Sequence, residues 1–180
     1  MSTRCQVTFY HDDPARPSGM LYHHSDGYPS FQLGKIVRFL EKTIEILDKI
    51  ERSYWWDGER VSALFVALSA ASYETPGFPD PKALEIDASK WEKMSWDERD
   101  AIGSLCPVYQ PCTRLHGDIE YLYRVRLSAN EEGRTWSVDV CTMDSMTDEQ
   151  GEDVPEVLGV LKQGDGVDEF VASLDEEHSQ

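Results

Sequence analysis

The chain has 180 residues, of which 40% are hydrophobic and 11% are aromatic, and its formal net charge is −17. This length fits one globular domain with a buried core. The sequence has no apolar run of the roughly 18 residues that span a bilayer, and residues 1–5 (MSTRC) are not followed by the apolar core of a signal peptide. We therefore expect a cytoplasmic protein without a membrane partner, in which the four cysteines are reduced.

The negative charge is concentrated near the C-terminus. Residues 144–180 hold twelve acidic side chains and one basic side chain, Lys162, so this segment contributes −11. The sequence thus predicts a single α+β domain over 1–143 and an acidic, partly helical C-terminal extension over 144–180. Such a chain repels nucleic acid and attracts basic protein surfaces, although acidity also serves solubility alone.

Two short β-prone segments, 6–10 and 20–24, flank a turn-rich stretch and predict an N-terminal β-hairpin. The connection is longer than a tight two-residue turn, so the sequence leaves the register open. One register places Phe9 opposite Tyr22. The residues that then share one face of the hairpin are Cys5, Val7, Phe9, Tyr22 and His24.

Two amphipathic helices are predicted to follow this hairpin. Apolar residues recur at helical spacing over 33–50, and Ser30 is a suitable N-cap, which predicts a helix of about five turns. A second helix is predicted to begin near Asp57, as its cap, and to end near Tyr73, because Pro76 follows.

A second hairpin is predicted after a long irregular stretch, 75–118. Residues 119–127 alternate well, and residues 135–140 return in phase after a turn. In the acidic extension we expect a helix that starts at 153–156 and a final helical turn or two within 167–174.

These elements predict an α+β fold. An antiparallel sheet of about four strands, formed by the two hairpins, would pack against the two main amphipathic helices on one of its faces. A doubly wound sheet is not expected, because no alternation of strand, helix and strand recurs along the chain.

Three stretches resemble a family of small uncharacterised proteins of phages, prophages and bacteria. They are residues 1–5 (MSTRC), 24–29 (HSDGYP) and 116–123 (HGDIEYLY). The resemblance covers residues 1–52 and 114–128, and it implies a phage or mobile-element context. It implies no activity, so no catalytic residue is carried over. The acidic extension and the proline-containing middle of the chain depart from the family pattern.

Cys5, His24 and Asp26 are the best catalytic candidates. A cysteine nucleophile needs a neighbouring base, and that base needs an acid to orient it. The register described above brings Cys5 and His24 to one face, but no nucleophile elbow or oxyanion loop accompanies them. The same residues fit a structural role, in which Cys5 is a small buried residue, His24 bonds to a backbone carbonyl and Asp26 sets the turn.

Several histidines and carboxylates near the first hairpin suggest the ligands of a metal site. They are His11, Asp12, Asp13, His23, His24 and Asp26. Adjacent strand residues point to opposite faces, so His23 and His24 do not serve one ion. Asp118 and Glu120, together with Asp26, are candidate paired acids for hydrolysis. A turn at Asp118 and an ion pair of Glu120 with Arg124 or Arg126 explain them more simply. We therefore expect no resident metal ion or cofactor.

The candidate binding residues are Tyr28, an aromatic residue of a type favoured in interfaces, and the acidic side chains near the C-terminus. These acidic residues are Asp165, Asp168, Glu169, Asp175, Glu176 and Glu177. The sequence favours a non-enzymatic interaction protein that binds a basic surface of a host protein, as an inhibitor of nucleic-acid-handling or defence machinery would. The alternative is a small cysteine- and histidine-dependent hydrolase or nucleotide-binding enzyme centred on the N-terminal hairpin.

Overall fold

The computed structural model describes residues 3–11, 13, 15–24, 26–49, 56–71, 109–130, 133–143 and 155–177. The strands in this part of the chain are β1 (Cys5–Tyr10), β2 (Gly19–His23), β3 (Tyr109–Pro111), β4 (Tyr121–Asn130), β5 (Gly133–Thr142) and β6 (Glu156–Lys162). The helices are α1 (Pro29–Lys49), α2 (Gly58–Ala71) and α3 (Val167–Glu177). Most of the predicted irregular stretch, 75–118, lies outside the described residues.

All six strands belong to one sheet, with the order β3-β2-β1-β4-β5-β6. Neighbouring strands are antiparallel, except that β1 and β4 are parallel. The predicted α+β class and the mostly antiparallel sheet are confirmed. The predicted sheet of about four strands lacked β3 and β6. The final helical turns expected within 167–174 are present as α3.

The core lies between the helices and one face of the sheet, which we call the helix face. Apolar side chains from β1, β4, β5 and β6 meet those of the three helices in one cluster. Its fully buried members include Val7, Phe9, Leu33, Ile36, Leu40, Val61, Tyr123, Val125, Val138, Val140 and Leu161. Burying such a side chain contributes about 1.5–3 kcal/mol of apolar transfer free energy. The sheet therefore has one helix-covered face and an opposite face, which we call the open face.

The two helices predicted from periodicity are confirmed, with a correction at the start of α1. The helix begins at Pro29, and the main-chain N–H of Gln32 donates to the carbonyl of Tyr28 at 3.1 Å, so Ser30 lies inside the helix. Proline suits a first helical position because the N–H that it lacks has no partner there. The cap of α2 is as predicted, since Asp57 Oδ1 accepts from the N–H of Arg60 at 2.8 Å.

The register considered for the N-terminal hairpin, with Phe9 opposite Tyr22, was wrong by three residues. Cys5 pairs with His23, and Phe9 pairs with Gly19. Gly19 packs so closely on α2 that a Cβ there would lie 2.6 Å from the Cβ of Ser62. A residue with a side chain does not fit this position, and the glycine thereby sets the register. Because a shift by an odd number of residues moves every side chain of a strand to the opposite face, Tyr22 lies on the open face and not beside Cys5.

The C-terminal segment contributes directly to the core. The helix expected to start at 153–156 is replaced, in the described part of that segment, by strand β6, which pairs with β5. Helix α3 follows and packs on β6, where a Cβ on Gly159 would lie about 3 Å from the ring of Phe170. Leu161 and Leu174 are buried in the common cluster. Residues 155–177, which we call the C-terminal unit, are therefore an integral layer of the fold.

Candidate functional site

The three stretches that carry the family resemblance meet at one end of the sheet. The N–H of Gly27 donates to the carbonyl of Thr3 at 2.9 Å, and the N–H of Glu120 donates to the carbonyl of Arg4 at 3.0 Å. The hydroxyl of Tyr123 donates to the carbonyl of Gly27 at 2.7 Å. Arg4 and Glu120, which are more than one hundred residues apart in the chain, are thus joined by a main-chain hydrogen bond.

This junction requires a glycine at position 27. A Cβ on Gly27 would lie 2.7 Å from the carbonyl carbon of Arg4 and 2.8 Å from the nitrogen of Cys5. The preceding residue, Asp26, has a positive φ of 52°, a conformation that aspartate tolerates better than most residues. The turn is therefore built for close contact between backbones.

The structure separates the three catalytic candidates. Cys5 is fully buried on the helix face, where burial raises the pKa of its thiol to about 12. His24 is exposed, and its ring contacts that of Tyr22 on the open face, at 4.8 Å between centroids. Asp26 is also exposed, and its carbonyl accepts a hydrogen bond from Gln32. A thiol with such a pKa is a poor nucleophile at neutral pH, and the sheet lies between it and His24.

His23, and not His24, lies beside Cys5 on the helix face. Its side chain is 3% exposed, and neither ring nitrogen has a hydrogen-bond partner. Burial is the main cause that lowers the pKa of His23 to about 4, and the charge of Lys35 lowers it further. At neutral pH the imidazole is therefore uncharged, and its ring packs against Tyr109 at 4.7 Å between centroids.

A buried polar contact beneath the first turns of α1 completes this region. Gln32 is fully buried, its Nε2 donates to the carbonyl of Asp26 at 2.7 Å, and its Oε1 accepts from the hydroxyl of Tyr109. The glutamine thereby links the 24–29 turn to β3. This arrangement satisfies polar groups within the fold and holds the start of α1 in place.

On the open face, the segment after β3 crosses the sheet and is held by a buried glutamine. Gln6 donates from Nε2 to Cys112 Sγ at 3.2 Å and to the carbonyl of Arg114 at 3.1 Å. Its Oε1 accepts from the N–H of His116 at 3.1 Å. Both ends of the Gln6 amide are therefore used to fix this segment over β1.

The same segment brings together four side chains that the sequence did not single out as a group. The hydroxyl of Tyr22 donates to Asp118 Oδ2 at 3.0 Å, and Arg4 Nη1 lies 3.4 Å from the same oxygen. His116 stacks on Tyr22 at 4.3 Å between centroids. Burial and the adjacent Asp118 carboxylate raise the pKa of Tyr22. In the sequence, these four residues share only that they lie in or near residues 1–5, 24–29 and 116–123.

Asp118, one of the candidate paired acids, has other partners. Asp118 is held by Tyr22 and Arg4, as described above. Arg126, one of the partners expected for Glu120, instead pairs with Asp139 on the neighbouring strand, at 2.7 Å between Nη2 and Oδ2. Asp118 is therefore engaged by Tyr22 and Arg4, and the expected pairing partner Arg126 is engaged by Asp139.

The acidic binding residues lie on and before α3. Asp165 Oδ2 accepts from the N–H of Lys162 at 2.8 Å. Asp168 and Glu169 are exposed in the first turn of α3, and neither takes part in an ion pair within the described residues. Three further acidic residues belong to the last turn of the helix: Asp175, Glu176 and Glu177. The sequence from 163 to 177 has no basic residue.

Tyr28 lies apart from the exposed acidic residues of α3's first turn. It immediately precedes α1, is 39% exposed, and its ring is 5.9 Å from that of Phe31. It follows Gly27, which contacts the start of β1, whereas Asp168 follows the end of β6, which lies at the other end of the sheet. Tyr28 and Asp168 therefore do not form one patch.

Similarity to known proteins, metal sites and membrane-spanning helices are the remaining points. No protein-family model, curated protein or solved structure matched the chain. Among the residues that the structure describes, no three histidine, cysteine, aspartate or glutamate side chains form a group that could hold a metal ion. In that same part of the chain, no helix is long and apolar enough to cross a membrane.

Proposed function

We propose that the chain is a non-enzymatic interaction protein of a phage or another mobile element, and that its acidic C-terminal unit binds a basic surface of a host protein. The observation that carries this proposal is the state of Asp168 and Glu169. They are exposed, they are free of ion pairs in the described chain, and they lie on a helix that Leu174 anchors to the core.

A folded acidic helix binds a basic surface at a lower entropic cost than a flexible acidic tail does. The backbone of α3 is already ordered by its packing on β6 and α1, so less conformational freedom is lost on binding. Charge complementarity also accelerates encounter with a cationic partner, and this acceleration weakens as salt is added.

Basic surfaces that hold nucleic acid are the natural targets for such a unit. They bind phosphate groups through Lys and Arg, and clustered carboxylates offer these cations a similar negative charge. The proposed outcome is competition: the protein occupies a site that would otherwise hold DNA or RNA. An inhibitor of nucleic-acid-handling or defence machinery would act in this way.

The test compares the wild type with the variant D165N/D168N/E169Q, which removes three negative charges from the C-terminal unit. Both proteins are immobilised and exposed to bacterial lysate at about 50 mM and about 300 mM NaCl, since this range strongly changes screening. We expect basic nucleic-acid-binding proteins to be retained by the wild type at low salt and to be lost by the variant. A purified captured protein should then release labelled DNA when the wild type is added.

The matched control is D13N/E41Q/E59Q, which removes the same charge from exposed positions outside the C-terminal unit. It should retain the same proteins as the wild type. If all three proteins retain the same set, or if the captured protein keeps its DNA, the C-terminal unit is not the binding surface and the proposal fails.

The enzyme alternative centred on Cys5 makes an opposite prediction about thiol reactivity. A nucleophilic Cys5 would react with a thiol reagent before the other cysteines. Because Cys5 is fully buried and Cys112 is partly exposed, we expect Cys112 to be labelled at least about tenfold faster in a C106S background. The substitution leaves Cys5, Cys112 and Cys141 as the thiols to be compared. Preferential labelling of Cys5, measured by mass spectrometry, would instead support the enzyme.

A further inference from the structure

Strand β6 forms one edge of the sheet and exposes apolar side chains. It pairs with β5 on one side, and no strand of the described chain pairs with it on the other. Val157 is 49% exposed and Val160 is 43% exposed. An edge strand with unpaired main-chain groups and exposed apolar residues is a template for another strand.

A bulge places these two valines on the same face. Val160 lies opposite Asp139 and Val157 lies opposite Cys141, with a register shift between Val140 and Cys141. Without the bulge, residues three apart in a strand would point to opposite faces. With it, both valines are on the open face beside the edge, where they form a short apolar strip.

The direction of the main-chain groups of β6 follows from its hydrogen bonds. The N–H of Gln163 donates across the sheet to the carbonyl of Trp136 at 3.2 Å. In an antiparallel pair, the N–H and C=O groups of successive residues point alternately toward the neighbouring strand and away from it. Since those of Gln163 point toward β5, those of Lys162 and Val160 point to the outer edge. Asp165 bonds to both of the main-chain groups of Lys162. Its Oδ2 accepts from the N–H of Lys162 at 2.8 Å, and its own N–H donates to the carbonyl of Lys162 at 3.0 Å. The pair of groups on Val160 lies next along the edge.

On the helix face, the helix that lies along β6 is negatively charged. Helix α3 runs back along β6 on the helix face, since both Phe170 and Leu174 pack against Gly159. It carries the acidic residues described above and no basic residue. A strand added beside β6 would therefore have an apolar strip on its open-face side and the negatively charged helix α3 on its other side.

We propose that the outer edge of β6 binds an extended segment of the partner protein, in which apolar residues alternate with lysine or arginine. This inference rests on the proposed function and specifies how the basic partner is held. Main-chain hydrogen bonds to Val160 would join the segment to the sheet, as in other cases of strand addition. Alternate side chains would then pack on Val157 and Val160 or face the carboxylates of α3.

The test uses two synthetic peptides as probes, each as long as β6, which has 7 residues. One alternates lysine and valine, and the other has the same composition with its valines contiguous. Binding to the full chain is measured by fluorescence anisotropy. We expect the alternating peptide to bind at least about tenfold more tightly, a difference of about 1.4 kcal/mol. Equal binding of the two peptides, or no binding of the alternating one, would overturn the inference.

Two variants locate the site. V160P removes an outward N–H at an edge position where proline is tolerated, and V157T/V160T removes the apolar strip while keeping the side-chain shape. Each folded variant should lose the preference for the alternating peptide but keep the weaker binding of the contiguous one. A preference that persists in V157T/V160T would overturn the inference even if V160P fails to fold.

A charge variant that keeps Asp165 at the edge separates this inference from the proposed function. This variant, D168N/E169Q, should weaken both peptides by a similar factor, because it removes attraction and leaves the groups of Lys162 occupied. If the charge variant weakens both peptides but the wild type shows no preference between them, the edge inference fails and the acidic surface remains. If the charge variant weakens neither peptide, the proposed function fails.

Discussion

Single residues decide how residues 3–5, the 24–29 turn and residues 116–123 are joined. Gly27 allows the backbone of the 24–29 turn to touch the chain at Arg4 and Cys5. Gly117, in the third stretch, has open space where its Cβ would be. A methyl group would therefore clash with the backbone at Gly27, whereas it would enter open space at Gly117.

We predict that Gly27→Ala destabilises the protein by about 1–3 kcal/mol, the usual cost of forcing an extra methyl group into a packed site. The matched control, Gly117→Ala, should stay within about 0.5 kcal/mol of the wild type. Both values come from urea unfolding followed by circular dichroism. Similar losses for the two variants would show that the close contact at Gly27 is not a constraint.

His23 couples stability to pH. Its pKa of about 4 in the folded state lies below the ordinary value of 6.5, so the unfolded chain takes up the proton first as the pH falls. The contribution of the uncharged His23 to the free energy of unfolding is complete above about pH 6.5. It is lost as the pH falls to about 4, and the total loss is about 3 kcal/mol. Lys35, Asp26 and His24 also act on this imidazole, and burial is the largest cause.

We predict that His23→Phe removes this dependence. The ring contact with Tyr109 can be kept, and two buried nitrogens without partners are eliminated, so the variant should be at least as stable as the wild type at pH 7. Its advantage should grow as the pH falls from about 6.5 to about 4. Unfolding free energies of both proteins across this range give the difference directly. A constant difference would contradict the assignment to His23.

At the scale of elements, periodicity predicted the helices and the second hairpin. The stripe along α1 and the alternation along β4 are long enough to be distinctive. Strand β3 has three residues and ends at Pro111, so it carries no period. Strand β6 was mistaken for a helix because the spacing of Val157, Leu158 and Leu161 fits either structure, and a bulge interrupts its alternation.

The candidate site was predicted less well than the fold, because it depends on pairing. The sequence selected Cys5 and a histidine of the first hairpin, but the register decides which histidine is adjacent. Gly19 fixes that register through contact with Ser62, a residue of a helix some forty positions later. No local pattern contains this information. The interaction of Tyr22 with Asp118 depends on tertiary structure in the same way.

We predict that deleting residues 144–180 destabilises the remaining chain by more than about 3 kcal/mol. The deletion removes two buried leucines, each worth about 1.5–3 kcal/mol, and uncovers the edge of β5, which favours aggregation. Leu174→Ala alone should cost about 2–5 kcal/mol. Urea midpoints and size-exclusion profiles measure both effects. An unchanged midpoint after the deletion would show that the C-terminal segment is a separable extension.

At the scale of the whole molecule, the net charge of −17 acts against compactness. Mutual repulsion among carboxylates is spread over long distances and is therefore sensitive to salt. Short ion pairs, such as Arg126 with Asp139, are less affected because that carboxylate is nearly buried.

We predict that the melting temperature rises when NaCl is increased from about 10 mM to about 150 mM, because the screening length falls from about 30 Å to about 8 Å. The variant D165N/D168N/E169Q should show a smaller rise, since it has less repulsion to screen. Differential scanning calorimetry provides the measurement. A melting temperature that falls with salt would mean that attractive ion pairs outweigh the repulsion.

The parallel pairing of β1 with β4 determines when the fold can close during synthesis. The first strand of the chain lies in the interior of the sheet, and its second neighbour begins at Tyr121. A ribosome must therefore add more than one hundred residues after Tyr10 before Cys5–Tyr10 is paired on both sides. Until then the N-terminal hairpin is only marginally stable, and its open edge is available to other nascent chains. Contacts over such long sequence separations also slow folding, so completion of β4 is the earliest point at which this protein is protected from aggregation.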